Sequence, residues 1–160
     1  MDAIVLLKED HKVVEKLFNQ FEKAGDGEHK TKRKVVKQIS EELSVHAFIE
    51  EQLFYPAARA KVPETEDHVL ESLEEHHIVK WVLAELAGMD PQDERFDAKV
   101  SVLMENVRHH VEEEEQEWFP EVRKGMGRKE LKELGDRMAN AKKTAPKQPR
   151  PTAPDEPVTS

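Results

Sequence analysis

The sequence predicts an all-α protein, an up-down four-helix bundle built from two similar helical hairpins, with a short C-terminal fifth helix as an option. Three observations predict it: a composition rich in helix formers, four segments with apolar residues at helical spacing, and an internal repeat that relates the two halves of the bundle.

The chain has 160 residues, enough for one domain with a sizeable core and a tail. Charged and hydrophobic residues each make up 37% and there are only 6 Gly, so long straight-chain side chains that keep their rotamer freedom in a helix dominate. The net charge of −9 comes without a compensating basic stripe, so a phosphate backbone is repelled and no nucleic-acid partner is expected. There is no Cys, which excludes disulfides, thiolate metal sites, Cys-held Fe–S clusters and a Cys nucleophile. Any metal must therefore be bound through N and O. The apolar run Ile4-Val5-Leu6-Leu7 is too short for a signal peptide, and no stretch approaches the ~20 apolar residues of a membrane span. No membrane association is expected, and the default compartment is the cytoplasm.

The first helix is expected from about Ala3 to Lys23, with Ile4, Leu7, His11, Val14, Leu17/Phe18 and Phe21 on one face, ended by Gly25-Asp26-Gly27. The second runs from about Lys30 to Lys61 through Val35/Val36, Ile39, Leu43, His46, Ile49/Glu50 and Leu53, and stops at Val62-Pro63-Glu64-Thr65. The third covers about Glu66 to Ala87 with Val69/Leu70, Leu73, His77, Lys80/Trp81 and Ala84 in line, closed by Gly88 to Pro91. The fourth covers about Gln92 to Lys124 with Val100, Leu103, Val107, His110, Glu114 and Trp118. The bundle thus occupies 1–124. A weaker pattern (Leu131, Leu134, Met138) predicts at most a short helix with little apolar surface within 125–143. From 144 to 160 the chain is polar and carries Pro146, Pro149, Pro151, Pro154 and Pro157, which predicts a disordered tail.

The repeat is the most informative feature. His46-Ala47-Phe48-Ile49-Glu50-Glu51-Gln52-Leu53-Phe54-Tyr55-Pro56 aligns without gaps on His110-Val111-Glu112-Glu113-Glu114-Glu115-Gln116-Glu117-Trp118-Phe119-Pro120. Each is preceded by a helix with its own His: Leu7 to His11 matches Leu73 to His77, with 35 residues to the second His in one half and 33 in the other. The unit is a helical hairpin carrying His, then His-x-x-x-Glu.

Residues four apart on a helix lie one above the other, so His46 and Glu50 point the same way, as do His110 and Glu114. With all four helices facing inward, the core receives His11, His46, His77 and His110 together with Glu50 and Glu114. Imidazole with carboxylate suits borderline divalent metals, and two carboxylates among four His serve best as bridges between two metal ions. A lone helical His is more often a plain surface or core residue than a ligand, and His29 and His68 are read that way. That bland reading has to place a Glu inside the apolar stripe twice, at matched positions, which is costly. One helical residue turns a side chain by about 100°, so only one of His76/His77 and one of His109/His110 faces inward; the repeat selects His77 and His110. Glu51 and Glu115 are neighbouring alternates that could reach the metal or its outer partners. Tyr55 and Trp118 flank the site and are read as core packing.

On these motifs, over roughly residues 1 to 124, the chain resembles the hemerythrin-like proteins, the HHE cation-binding family. The resemblance implies a non-haem centre of two iron ions bridged by Glu50 and Glu114, with His11 and His46 toward one iron and His77 and His110 toward the other. Oxygen-carrying members use a further His one turn before the third-helix ligand, where this chain has Leu73, and an Asp five residues after the fourth-helix His, where this chain has a Glu at four. The chain therefore looks less like the oxygen carriers than like the members that sense oxygen, iron or nitric oxide or consume peroxide, and binding or sensing of oxygen, nitric oxide or iron is the function expected. Two alternatives stand beside this, a peroxide-decomposing di-iron enzyme and a metal-free helical interaction module using the Pro-rich tail. Small diatomic ligands or peroxide are the partners implied. A ferritin-like oxidase wants Glu-x-x-His in each half, and only Glu74 to His77 has that spacing.

Overall fold

A computed structural model describes residues 1–149, and all of its regular structure is helical. The Pro-rich sequence from 150 onward, the larger part of the tail expected over 144–160, lies outside the described residues.

Helix α1 spans Ala3–Lys23 and is capped by Asp2, whose side chain accepts a hydrogen bond of 2.8 Å from the Val5 amide. The turn to α2 uses Gly27 at φ +87°, a conformation that costs only glycine nothing. Helix α2 consists of His29–Ile49, a π-helical turn Glu50–Phe54, and a further α-helical stretch Tyr55–Lys61. Helix α3 spans Glu66–Ala87 after a 3-10 turn, Pro63–Thr65. Helix α4 repeats the plan of α2, with Phe96–Glu113, a π-turn Glu114–Trp118, and Phe119–Gly125. Its start falls four residues later than the spacing predicts. Asp90 and Asp93 accept hydrogen bonds from the amides two residues on, at 2.8 and 2.9 Å, and so hold the backbone in turns first.

The two π-turns have a local cause. Pro56 and Pro120 lack an amide hydrogen, and each ring collides with the carbonyl four residues back, so neither helix can continue with uniform α-helical bonding. A wider turn absorbs the mismatch: the Tyr55 amide bonds the Glu50 carbonyl and the Phe119 amide bonds that of Glu114. Both turns begin on the Glu of a His-x-x-x-Glu motif.

Helix α5, Arg128–Ala141, packs along α1, and its Leu131, Leu134 and Met138 are buried with Ala3, Ile4 and Leu7. The sequence pattern credits this helix with little apolar surface, yet α1 turns part of its own apolar surface outward and α5 covers it. A Cβ at Gly135 would lie 2.2 Å from the Met1 carbonyl oxygen, so a glycine is what lets α5 approach the chain start. The chain then continues as irregular structure to Pro149, in which Ala145 is buried and Thr144, Lys147 and Gln148 are exposed.

The apolar core is in two parts. One holds Ile4, Leu7, Ile49, Phe54, Ala58, Trp118, Phe119 and Val122 with the α5 residues; the other holds Val14, Phe18, Ile39, Leu43, Leu83, Phe96, Leu103 and Val107. Between them lies a layer of buried polar side chains.

Candidate metal centre

The polar layer is made of His11 from α1, His46, Glu50 and Glu51 from α2, His76 from α3, and His110 and Glu114 from α4, all buried. Glu50 and Glu114 are fully buried, at 0% exposure. The His Nε2 atoms turn inward: His11 lies 3.3 Å from Glu114 Oε1, His110 3.3 Å from Glu114 Oε2, His46 3.1 Å and His76 3.2 Å from Glu50 Oε1. The Nε2 atoms of His76 and His110 are 3.3 Å apart. Two groups with candidate donor atoms within 4.8 Å of one another result, His11/His46/Glu114 and Glu50/His76/His110.

Every Nδ1 is held from outside by a carboxylate. His11 Nδ1 pairs with Glu115 at 2.6 Å, His46 with Asp10 at 2.9 Å, His76 with Glu51 at 2.7 Å and His110 with Glu75 at 2.7 Å. Such a partner fixes ring orientation and tautomer and leaves Nε2 as the free donor, the usual arrangement around a metal-bound imidazole. Glu51 and Glu115, the alternates of the sequence reading, take this outer role.

The expected residues His11, His46, Glu50, His110 and Glu114 come together; the expected His77 does not. His76 occupies its place, and His77 lies on the exposed side of α3. The same rotation turns Leu70 and Trp81 outward, with Trp81 54% exposed, and brings in Val69, Ser72, Leu83 and Leu86. Helix α3 has apolar residues on two faces, and His76 wins because Glu51 and Glu50 await it across the interface. One turn before His76 lies buried Ser72, so this is the residue at the further-His position of oxygen carriers, in place of Leu73. A signal was present in the sequence: Asp10-His11 and Glu75-His76 share an acidic residue before the His, and the distance to the second His becomes 35 and 34.

Tyr55, read from sequence as packing, reaches the centre. Its hydroxyl donates to Glu114 Oε2 at 2.9 Å and lies 3.2 Å from His76 Nε2. Burial and the nearby Glu114 carboxylate push its phenol well above the ordinary range, which keeps the proton on it. Trp118 does pack, buried and stacked on His68, with its Nε1 donating to Thr65 Oγ1 at 2.9 Å.

Electrostatics bind the layer together. Burial alone would lower His46, but Glu50 and Asp10 overcome it and raise its pKa to about 10. His110 rises well above the usual imidazole range and His76 rises too, against burial, through Glu114 and Glu50 respectively. Burial opposes ionisation of Glu114, yet His110 and His11 hold it well below the ordinary carboxylate value. Without a metal, protons on His46, His76 and His110 supply positive charge to these carboxylates.

The donor set also fits a metal by what it leaves unsatisfied. His11 Nε2, His46 Nε2, both oxygens of Glu50 and Glu114 Oε1 are buried without a hydrogen-bond partner. They are close to one another but not aligned to bond, as donors arranged around shared ions are. Beside them is a cavity of about 40 Å³ lined by the four His and by Val14, Leu43, Val79, Leu83 and Val107.

A helical bundle with buried His and carboxylate clusters of this kind belongs to the class of cation-binding bundle proteins. The family model for the hemerythrin HHE cation binding domain matches residues 2–122, and the chain belongs to that family. An uncharacterised hemerythrin-like protein of Schizosaccharomyces pombe is 27% identical over 149 residues, covering 92% of this chain and 72% of that one. A protein of Nostoc named DNA nickase is 25% identical over 137 residues, 86% of this chain, which spans only 38% of that protein. The crystal structure of a hemerythrin HHE cation binding domain-containing protein from Mycobacterium kansasii matches with a TM-score of 0.77 at 24% identity, covering 90% of this chain and 86% of the other. No helix among the described residues is long and apolar enough to cross a membrane.

Proposed function

We propose that the chain is a non-haem di-iron protein that binds or senses a small ligand, oxygen, nitric oxide or iron itself, at a carboxylate-bridged centre. The observation that carries this reading is the convergence of four buried Nε2 atoms and two fully buried Glu, with His11 Nε2, His46 Nε2, both Glu50 oxygens and Glu114 Oε1 unsatisfied and every Nδ1 of the four held from behind. His11 and His46 would hold one metal, His76 and His110 the other, and Glu50 and Glu114 would bridge, since each Glu contacts a His of both groups. Iron there supplies reversible redox chemistry and coordination positions open to a small molecule.

The chain's own residues shape access to those positions. The cavity beside the His has room for roughly two or three water-sized molecules, and its Val and Leu walls favour an uncharged guest over an ion. The test is iron quantitation with an optical spectrum before and after oxygen, nitric oxide or peroxide. About two irons per chain with a spectrum that changes on ligand addition is the expected result; protein expressed with iron that holds only trace metal would end the reading.

Tyr55 favours a second reading, peroxide decomposition. Its hydroxyl is a protonated donor inside the centre, 2.9 Å from Glu114, where a peroxide-consuming reaction needs a proton. Peroxide loss above that of free iron, reduced in Tyr55→Phe, supports it; loss no faster than with free iron removes it. A metal-free interaction module is disfavoured by the unsatisfied Glu50 oxygens, which are costly to bury without a cation.

A further inference from the structure

Two of the four outer carboxylates differ from the other two. Glu115 and Glu75 are partly open, with side chains 33% and 30% exposed, and water can solvate them. Asp10 and Glu51 are buried, at 8% and 6%, and each is paired with a lysine: Lys142 Nζ lies 2.5 Å from Asp10 Oδ1, and Lys80 Nζ 2.7 Å from Glu51 Oε1. A buried carboxylate needs such a partner to stay ionised.

These pairs form two matching chains, Lys142–Asp10–His46 and Lys80–Glu51–His76, and both imidazoles end on the same oxygen, Glu50 Oε1. The two cations have different origins. Lys80 belongs to α3, inside the bundle, whereas Lys142 caps the end of α5, beyond the residues that match the family model. Helix α5 is seated on α1 by Leu131, Leu134 and Met138 and by the close approach at Gly135, which fixes where Lys142 arrives.

We propose that Lys142 is a positioning residue of the metal centre: through Asp10 it sets the orientation and donor strength of His46, and so makes the seating of α5 part of the centre's tuning. This rests on the di-iron reading above. A cation on Asp10 draws charge from the hydrogen bond to His46 and weakens the imidazole as a donor, while it also holds the carboxylate in one place. Removing Lys142 therefore leaves a more negative surround, which favours the oxidised metal, and a looser ring. Any event that lifts α5 from α1 has the same effect.

The test compares the full chain reconstituted with iron(II), as wild type, K142M, K142R, D10N, D10N/K142M and the control K132M, whose lysine pairs with Asp136 on the exposed face of α5. The readouts are the reduction potential and the rate of metal release to EDTA. K142M is expected to lower the potential and to speed release by roughly ten-fold, the low end of the effect of outer partners on metal affinity. K142R restores both, K132M behaves as wild type, and the K142M change disappears in the D10N background. A K142M that matches K132M, or a shift that persists undiminished on D10N, overturns the proposal. If K142M does not fold, K142Q carries the same comparison.

A metal-independent arm separates this inference from the reading beneath it. In the metal-free chain, the imidazole nitrogen resonances of His46 are expected to move in K142M and not in K132M. If wild type takes no iron but those resonances respond, the di-iron reading fails and the Lys142 link stands. If wild type takes iron while potential, release and resonances ignore Lys142, the link fails and the reading stands.

Discussion

At the residue scale, each imidazole of the centre is held through Nδ1 by a carboxylate from another helix, and Nε2 is thereby committed to the interior. His76 and His77 are neighbours with opposite fates under this arrangement. We expect His76→Ala to lose at least half of the bound metal, while His77→Ala keeps full loading, as read by metal quantitation. Protonation follows the same contacts. His46 is raised from 6.5 to about 10 in the metal-free chain, so its contribution to stability is complete below pH 6.5 and is lost as pH rises toward 10. Glu114, held well below 4.5, works in the other direction, its contribution being present above that value and lost as pH falls through the depressed one. The thermal midpoint of EDTA-treated protein should therefore be highest between those limits and decline on both sides. A midpoint that rises from pH 7 to pH 10 would contradict the assignment.

At the element scale, α2 and α4 are each interrupted by a π-turn that starts on a site Glu and ends before a Tyr-Pro or Phe-Pro pair. Proline sets the interruption, and such turns are frequent at functional sites. Helix α5 depends on a close backbone approach as well as on side-chain packing. Gly135→Ala places a methyl against backbone of the first residues, which cannot yield as a side chain can, and the expected cost is about 1–3 kcal/mol by denaturant unfolding. Leu134→Ala, which leaves a void where α5 meets α1, is expected to cost about 2–5 kcal/mol. The first substitution displaces α5 whereas the second only thins its contact, so Gly135→Ala should also shift the metal centre more per unit of stability lost.

At the scale of the whole molecule, two apolar cores are separated by a layer that contains four imidazoles and several carboxylates, a costly arrangement without compensating cations. A metal held by this layer would bind only where the four helices present it together, so it should stabilise the fold by mass action. Chelation is expected to lower the thermal midpoint of the wild type and to leave that of a His46/His110 double Ala variant unchanged; equal midpoints for loaded and chelated wild type would argue against metal at this layer.

Much of this was legible in the chain. Helix α1 falls from Ala3 to Lys23 and α3 from Glu66 to Ala87, as the apolar spacing predicts, because Asp2, Gly27 and Pro63 punctuate strongly where they stand. The duplicated His-x-x-x-Glu places His46 with Glu50 and His110 with Glu114 on local geometry alone, since residues four apart share a face whatever surrounds the helix. Three matters were not local. The choice of His76 over His77, hinted at only by the acidic residue that Asp10-His11 and Glu75-His76 share, was decided by which face of α3, apolar on two sides, meets Glu50 and Glu51. The part played by Asp10, Glu75, Tyr55 and Lys142 depends on residues far apart in sequence meeting across helices. The burial of α5 depended on what α1 leaves uncovered. Periodicity determines which residues travel together on one helix; only packing decides which way that helix is turned and what it meets there.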